Sequence, residues 1–172
     1  MRRDNHRAHR DDLVGEHPFG DSGQLILLIV FLAVWIADSF IFRFSTFAVE
    51  YISPFVRIPL GVTILFISGY LAKGGMSAVF GEERQEPVLV HRGVFNRVRH
   101  PVYLGCILFY LGLLIFTLSA TAGLIWITII VFYHYISKYE ERLLLTEFGK
   151  EYEQYMERVP MWFPRLKKRK SR

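Results

Sequence analysis

The sequence predicts an all-α integral membrane protein with about four transmembrane helices, and three observations lead to this fold class. First, 52% of the 172 residues are hydrophobic, and they lie mainly in long runs. Second, the charged residues crowd into the segments between these runs. Third, apolar runs of about 18 or more residues are long enough to cross the hydrocarbon core of a bilayer as helices.

Four apolar segments are predicted to be these spans. A break of three residues, Ser119-Ala120-Thr121, separates the last two and predicts a tight helical hairpin. The segments extend from about Gln24 to Phe42, Val56 to Leu71, Pro101 to Leu118 and Ala122 to Ser137.

The placement of lysine and arginine predicts that both termini face the cytoplasm. Four arginines precede the first span, five basic residues lie within 73–99, ten lie beyond residue 137, and the 119–121 turn has none. The net charge of +5 is therefore attributed to topology and to attraction by lipid headgroups, and we expect no nucleic-acid partner. Because no signal-peptide cleavage pattern follows the first apolar run, a prokaryotic plasma membrane is favoured.

One domain, residues 24–165, is expected between a polar tail at 1–23 and a basic tail at 166–172. Its C-terminal part carries an amphipathic stripe that either lies on the membrane surface or folds back over the helices. Gly149 interrupts the stripe and predicts a kink or a short turn. The stripe consists of Leu143, Leu144, Phe148, Tyr152, Tyr155 and Met156.

Arg99-His100-Pro101 predicts a helix start that favours an anion. Pro101 suits the first position of a helix because its missing N–H would have no partner there. The free N–H groups and the dipole of a helix start attract a carboxylate or a phosphate. In the alternative interpretation, Arg97 and Arg99 only anchor the chain on the cytoplasmic side and His100 is a solvated cap.

Glu140 and Glu141 follow the fourth span, and the tight hairpin should bring them beside Arg99 and His100. This arrangement of charges is either a structural salt bridge or a site for a zwitterionic ligand.

Polar residues within the predicted spans are functional candidates by default. His134 lies on the same helical face as Lys138 and Glu141. Asp38 lies near the outer end of the first span, where an interfacial or interhelical partner is the simpler expectation.

Two blocks of residues resemble the isoprenylcysteine carboxyl methyltransferase family, and phospholipid methyltransferases share much of the same pattern. The blocks occur in the family's order, flank the hairpin, and cover about residues 86–165. The first is Gly93-x-Phe95-x-x-Val98-Arg99-His100-Pro101-x-Tyr103-x-Gly105, and the second contains Glu140-Glu141, Phe148-Gly149, Tyr152, Tyr155, Val159-Pro160 and Pro164.

The resemblance implies transfer of a methyl group from S-adenosylmethionine to a lipid-like or prenylated acceptor at the cytoplasmic membrane face. It implies no metal. The cofactor-binding half is residues 86–165, with the backbone at 88–90 near the adenine, and catalytic roles are implied for Glu140, Glu141 and Arg165. The cofactor-binding residues implied are Val88, Leu89, Val90, Gly93, Phe95, Arg99, His100, Pro101, Tyr103, Glu140 and Glu141.

The chain departs from the family pattern after Val159-Pro160. Many relatives have an arginine at the next position, where it is associated with the acceptor site, but this chain has Met161, followed by Trp162. Arg165 is the candidate replacement. The departure leaves the acceptor group open among a carboxylate, an amine and a thiol.

Two other functions remain in view. Membrane sterol and steroid reductases resemble this architecture in their C-terminal halves and bind NADPH, whose 2′-phosphate would suit Arg97 and Arg99. A small non-enzymatic membrane adaptor would use the basic tail to bind lipid or a partner. The adaptor accounts for the charges but not for the two ordered blocks.

Overall fold

A computed structural model describes residues 20–80 and 89–163, and these residues form helices and connections without a strand. The predicted all-α class is confirmed for this part of the chain. Short turns of 3-10 or π geometry lie at Ala37–Phe42, Phe47–Glu50 and Gly93–Asn96. The α-helices are α1 (Gly20–Ile36), α2 (Pro54–Phe80), α3 (Pro101–Thr117), α4 (Ala120–Phe148) and α5 (Lys150–Arg158).

Within the described residues, three stretches are long and apolar enough to cross a membrane, namely Ser22–Phe42, Pro54–Val79 and Ala120–Phe148. The remaining predicted span corresponds to α3, which is apolar but has 17 residues. The count of four spans and the cytoplasmic placement of the termini therefore stay predictions.

α4 extends beyond Ser137, the end that the apolar pattern predicts, and stops only at Gly149. Gly149 has a φ of 51°, a left-handed conformation that glycine adopts without steric cost, so the predicted break is confirmed. After this turn α5 folds back, and its Tyr152 and Tyr155 are buried in a small core with Leu89.

α2 and α3 approach closely because small residues face each other along their contact. A Cβ atom on Gly105 would lie 3.0 Å from the carbonyl oxygen of Ser68 and 3.2 Å from the amide nitrogen of Ala72. The Ser68 hydroxyl also donates a hydrogen bond of 2.7 Å to the Gly105 carbonyl. This close approach fixes where α3 begins relative to α2.

Asp38 joins three segments at one end of the helices. Its carboxylate accepts hydrogen bonds from the backbone N–H of Ser45 at 2.9 Å and from the hydroxyls of Ser45, Ser119 and Thr121. Asp38 is 6% exposed, and these donors replace the water that a buried carboxylate would otherwise need. The interhelical partner expected for Asp38 is therefore confirmed.

The Asp38 network defines one end of the molecule, where α3 ends and α4 begins. The start of α3 and the C-terminal half of α4 meet at the opposite end, since the two helices are joined by a short antiparallel turn. The candidate site forms there.

We predict that Gly105→Ala lowers the thermal stability of the detergent-solubilised protein, whereas Gly69→Ala does not. A Cβ at Gly105 meets backbone atoms that cannot move aside, and such overpacking costs about 1–3 kcal/mol. A Cβ at Gly69, on the neighbouring helix, meets nothing within 4 Å, so this variant gains only the better helix propensity of alanine. Equal melting temperatures for the two variants would contradict the close approach of α2 and α3.

Candidate functional site

α3 begins at Pro101, as the sequence predicts, and His100 is the residue that precedes its first turn. The carbonyl of His100 accepts the first helical hydrogen bond, from the N–H of Leu104 at 3.0 Å. The imidazole makes no hydrogen bond to the free N–H groups of the helix start. Since His100 is 7% exposed, the alternative interpretation of it as a solvated cap is wrong.

Both glutamates of α4 lie beside the start of α3, which confirms that the two motif blocks are spatial neighbours. Glu141 Oε1 is 2.7 Å from Arg99 Nη2 and 3.4 Å from His100 Nε2. Glu140 Oε2 is 3.7 Å from His100 Nδ1. Lys138 contacts Glu141 from the other side, with its Nζ 3.1 Å from Oε2.

Arg99 also holds the segment that follows α5. Its Nη1 donates to the carbonyls of Met156 at 3.0 Å and Val159 at 3.2 Å, and its backbone N–H donates to the carbonyl of Pro160 at 3.0 Å. The terminal guanidinium nitrogens therefore bind protein groups, including Glu141. This arrangement gives Arg99 a clamping role, which the expectation of an anion site at the helix start did not include.

Aromatic rings cover the site on the side of the helix bundle. Tyr103 stacks on His100 with ring centroids 5.8 Å apart and an interplanar angle of 8°, and its hydroxyl donates to Glu140. The ring of Trp162 lies 5.9 Å from that of His100, and its indole N–H donates to His134 Nδ1 at 3.3 Å. These rings exclude water from the imidazole and from the carboxylates next to it.

Several buried polar atoms at the site have no hydrogen-bond partner within residues 20–80 and 89–163. Buried polar groups in folded proteins nearly always find a partner, so a cluster of exceptions indicates a place for a ligand or for water. The 2.7 Å contact with Arg99 neutralises Glu141 but lacks hydrogen-bond geometry. The atoms are Arg99 Nε, His100 Nε2, Ser137 Oγ and Glu141 Oε1.

Burial lowers the pKa of His100 below its ordinary value of 6.5, because the imidazolium loses its hydration. The carboxylate of Glu141 opposes this effect, whereas Arg99 and Lys138 add to it. The imidazole is therefore neutral at neutral pH and has one nitrogen that accepts and one that donates.

Most of the other residues that the resemblance implies lie in the segment 89–96, which packs against α5 next to Arg99. Leu89 is buried against α5, and the carbonyl of Phe95 accepts a hydrogen bond of 2.8 Å from the Tyr155 hydroxyl. Gly93 has a φ of 63° at the start of a 3-10 turn. Val90 is half-buried beside Leu89. Val88 and Arg165 lie outside the described residues.

Two features of the site were missed by the sequence reasoning. Ser137 is fully buried one helical turn before Glu141, and this spacing of four residues on an inward face was the available signal. The contact of Trp162 with His134 had no signal in the sequence, because it depends on how the chain folds back after α5.

Comparison with known proteins finds methyltransferases that are similar to the part of the chain that contains the site. A protein 34% identical over 95 residues is the methanethiol S-methyltransferase 2 of Bradyrhizobium diazoefficiens, and the match covers 51% of this chain and 31% of that protein. The chain thus spans less than a third of the length of this relative. The family model described as phospholipid methyltransferase matches residues 62–151, which include α3, all of α4 and the charged residues Arg99, Lys138, Glu140 and Glu141. This match extends over more than half of the sequence, and the chain belongs to the phospholipid methyltransferase family.

Proposed function

We propose that the protein transfers a methyl group from S-adenosylmethionine to a lipid-like or prenylated acceptor at the cytoplasmic face of a membrane. The observation that carries this proposal is the buried cluster of His100, Glu140 and Glu141, which joins the two motif blocks in a chain of the phospholipid methyltransferase family. Methyl transfer needs a dry site that positions two reactants, and this cluster is suited to that task.

The unpaired atoms at the site fit the methionine part of S-adenosylmethionine. Glu141 Oε1 is a buried acceptor that has Arg99 and His100 nearby but no well-oriented donor in the described part of the chain, and an ammonium group supplies donors. His100 Nε2, which lies 3.4 Å from this oxygen, is a second buried polar atom without a well-oriented partner in the described residues. Tyr103 and Trp162 surround His100 with aromatic rings, and this environment suits a sulfonium, since aromatic rings attract cations.

S-adenosylmethionine supplies, when bound, a methyl group on a cationic sulfur that an acceptor atom displaces directly. The residues of this chain contribute positioning and exclusion of water. Arg99 holds the segment at 156–160 against the helix start, which keeps Trp162 over His100. Glu140, fixed by the Tyr103 hydroxyl, is the group that would take a proton from an amine acceptor.

A thiol is the second candidate acceptor, because the relative from Bradyrhizobium diazoefficiens is named a methanethiol S-methyltransferase. A small thiol needs no lipid-facing entrance to the site. Methylation assays with a phospholipid, a prenylated cysteine and a short alkyl thiol, each in the same vesicles, would separate these acceptors.

We predict that S-adenosylhomocysteine raises the melting temperature of the purified protein in a concentration-dependent way and that NADPH does not. A ligand that binds only the folded state stabilises it by mass action. His100→Ala should abolish the shift. A shift with NADPH alone would replace this proposal with a reductase, and no shift with either ligand in a folded sample would favour a membrane adaptor.

We predict that Glu140→Gln weakens S-adenosylhomocysteine binding by roughly 10- to 100-fold, since a buried hydrogen bond to a charged group contributes about 1.5–3 kcal/mol. The matched control is Glu147→Gln, which removes an exposed carboxylate from the same helix. Isothermal titration calorimetry measures both variants. Equal affinities in the two variants would exclude Glu140 from the binding site.

We predict that stability falls as the pH drops below about 6.5 and that His100→Gln reduces this dependence. Because the folded-state pKa of His100 lies below its unfolded value, the unfolded chain binds more protons in this range. The stabilisation by neutral His100 is present above pH 6.5 and is lost as the pH falls through the folded-state pKa. Melting curves of the wild type and of His100→Gln between about pH 7.5 and about pH 5.5 test this. Both proteins contain His91 and His134, so a difference between their pH profiles is due to His100. Parallel pH profiles would contradict it.

A further inference from the structure

Ser137 is a buried hydroxyl that has no visible structural role. It is 0% exposed, and its Oγ has no hydrogen-bond partner in the part of the chain that the structure describes. A serine in a helix can usually donate to the carbonyl four residues earlier, as Thr128 does to Leu124 at 3.2 Å and Thr146 does to Arg142 at 3.0 Å. Ser137 makes no such bond, although its burial makes an unpaired hydroxyl costly.

Ser137 lies on α4 between two residues that belong to the candidate site or contact it. It lies one helical turn after Tyr133, whose ring is 5.2 Å from that of Tyr103, and one turn before Glu141. Residues four apart lie on the same face of a helix. Ser137 Oγ therefore lies on the α4 face that carries Glu141 Oε1, and neither atom has a well-oriented hydrogen-bond partner among the described residues.

We infer that Ser137 is a ligand-binding residue whose hydroxyl accepts a hydrogen bond from the ammonium group of the methionine part of S-adenosylmethionine, next to Glu141. This inference rests on the proposed function. An ammonium has three N–H donors, and a single carboxylate oxygen leaves two of them without a partner. The carboxylate oxygen of Glu141 favours an N–H donor over a second carboxylate at this position.

Helix packing alone does not explain a serine at position 137, because alanine would pack there equally well. Alanine at 137 would remove an unpaired hydroxyl from a buried site and would cost the ligand-free protein nothing. A bound ligand would supply the hydrogen-bond partner that the Ser137 hydroxyl lacks among the described residues. The ligand-free stability and the ligand affinity of Ser137→Ala should therefore change independently.

The test compares Ser137→Ala with the wild type and with Ser39→Ala. Ser39 is the matched control, since it is also buried and its Oγ is also without a partner in the described chain, but it lies at the opposite end beside Asp38. The probes are S-adenosylhomocysteine and methylthioadenosine, which lacks the amino acid part. Calorimetry gives the affinities, and melting without ligand gives the stability.

We expect Ser137→Ala to bind S-adenosylhomocysteine about 10-fold more weakly than the wild type, which corresponds to about 1.4 kcal/mol. Its affinity for methylthioadenosine and its ligand-free melting temperature should stay at or above the wild-type values. Ser39→Ala should match the wild type with both probes.

Three outcomes would overturn the inference. An unchanged affinity of Ser137→Ala for S-adenosylhomocysteine would show that the hydroxyl makes no contact with the ligand. An equal loss with methylthioadenosine would place the contact on the nucleoside rather than on the ammonium. A lowered ligand-free melting temperature would assign Ser137 a structural role. Failure of the wild type to bind S-adenosylhomocysteine would instead reject the proposed function itself.

Discussion

The ion pair between Arg99 and Glu141 is the interaction on which the rest of the site depends. The two side chains are 10% and 4% exposed, so neither charge is hydrated enough to remain without the other. Arg99 distributes its remaining donors to carbonyls of the segment at 156–160. One guanidinium therefore connects the start of α3, the C-terminal half of α4 and the chain beyond α5, and loss of either partner would leave a buried charge and release that segment.

Each end of the α3–α4 hairpin has a buried carboxylate, and the two carboxylates differ in how many hydrogen-bond donors surround them. Asp38 is surrounded by hydroxyl and amide donors from within the chain, which makes that end a rigid closure. Glu141 has cations nearby, but its Oε1 has no well-oriented donor in the described residues. A closed network stabilises structure, whereas an open one at a buried site is suited to a ligand that completes it. This contrast is the physical reason for placing the candidate site at the Glu141 end of the hairpin.

The close packing of α2 on α3 gives the site a fixed base. Helices in a membrane gain little from the hydrophobic effect between their faces, and small residues allow close approach and dispersion contacts instead. Gly105, in the same block as Arg99 and His100, sits against the backbone of α2 at Ser68 and Ala72. The glycine of the motif thus serves helix packing, while the charged residues of the motif face α4.

The sequence by itself determined the helical class, the start of α3 at Pro101, the break at Gly149 and the meeting of Arg99 and His100 with Glu141. These features follow from local rules. Proline and glycine restrict or free the backbone at their own positions, and a short turn between two helices makes them antiparallel neighbours. Only the tertiary structure decided that Arg99 clamps the C-terminal segment, that Trp162 covers His100, and that the buried Ser137 hydroxyl has no partner in the described part of the chain. The first two depend on the path of the chain after α5, which no spacing in the sequence records. The spacing of four residues before Glu141 indicates the face on which Ser137 lies, but only the packing around α4 decides whether its hydroxyl finds a partner.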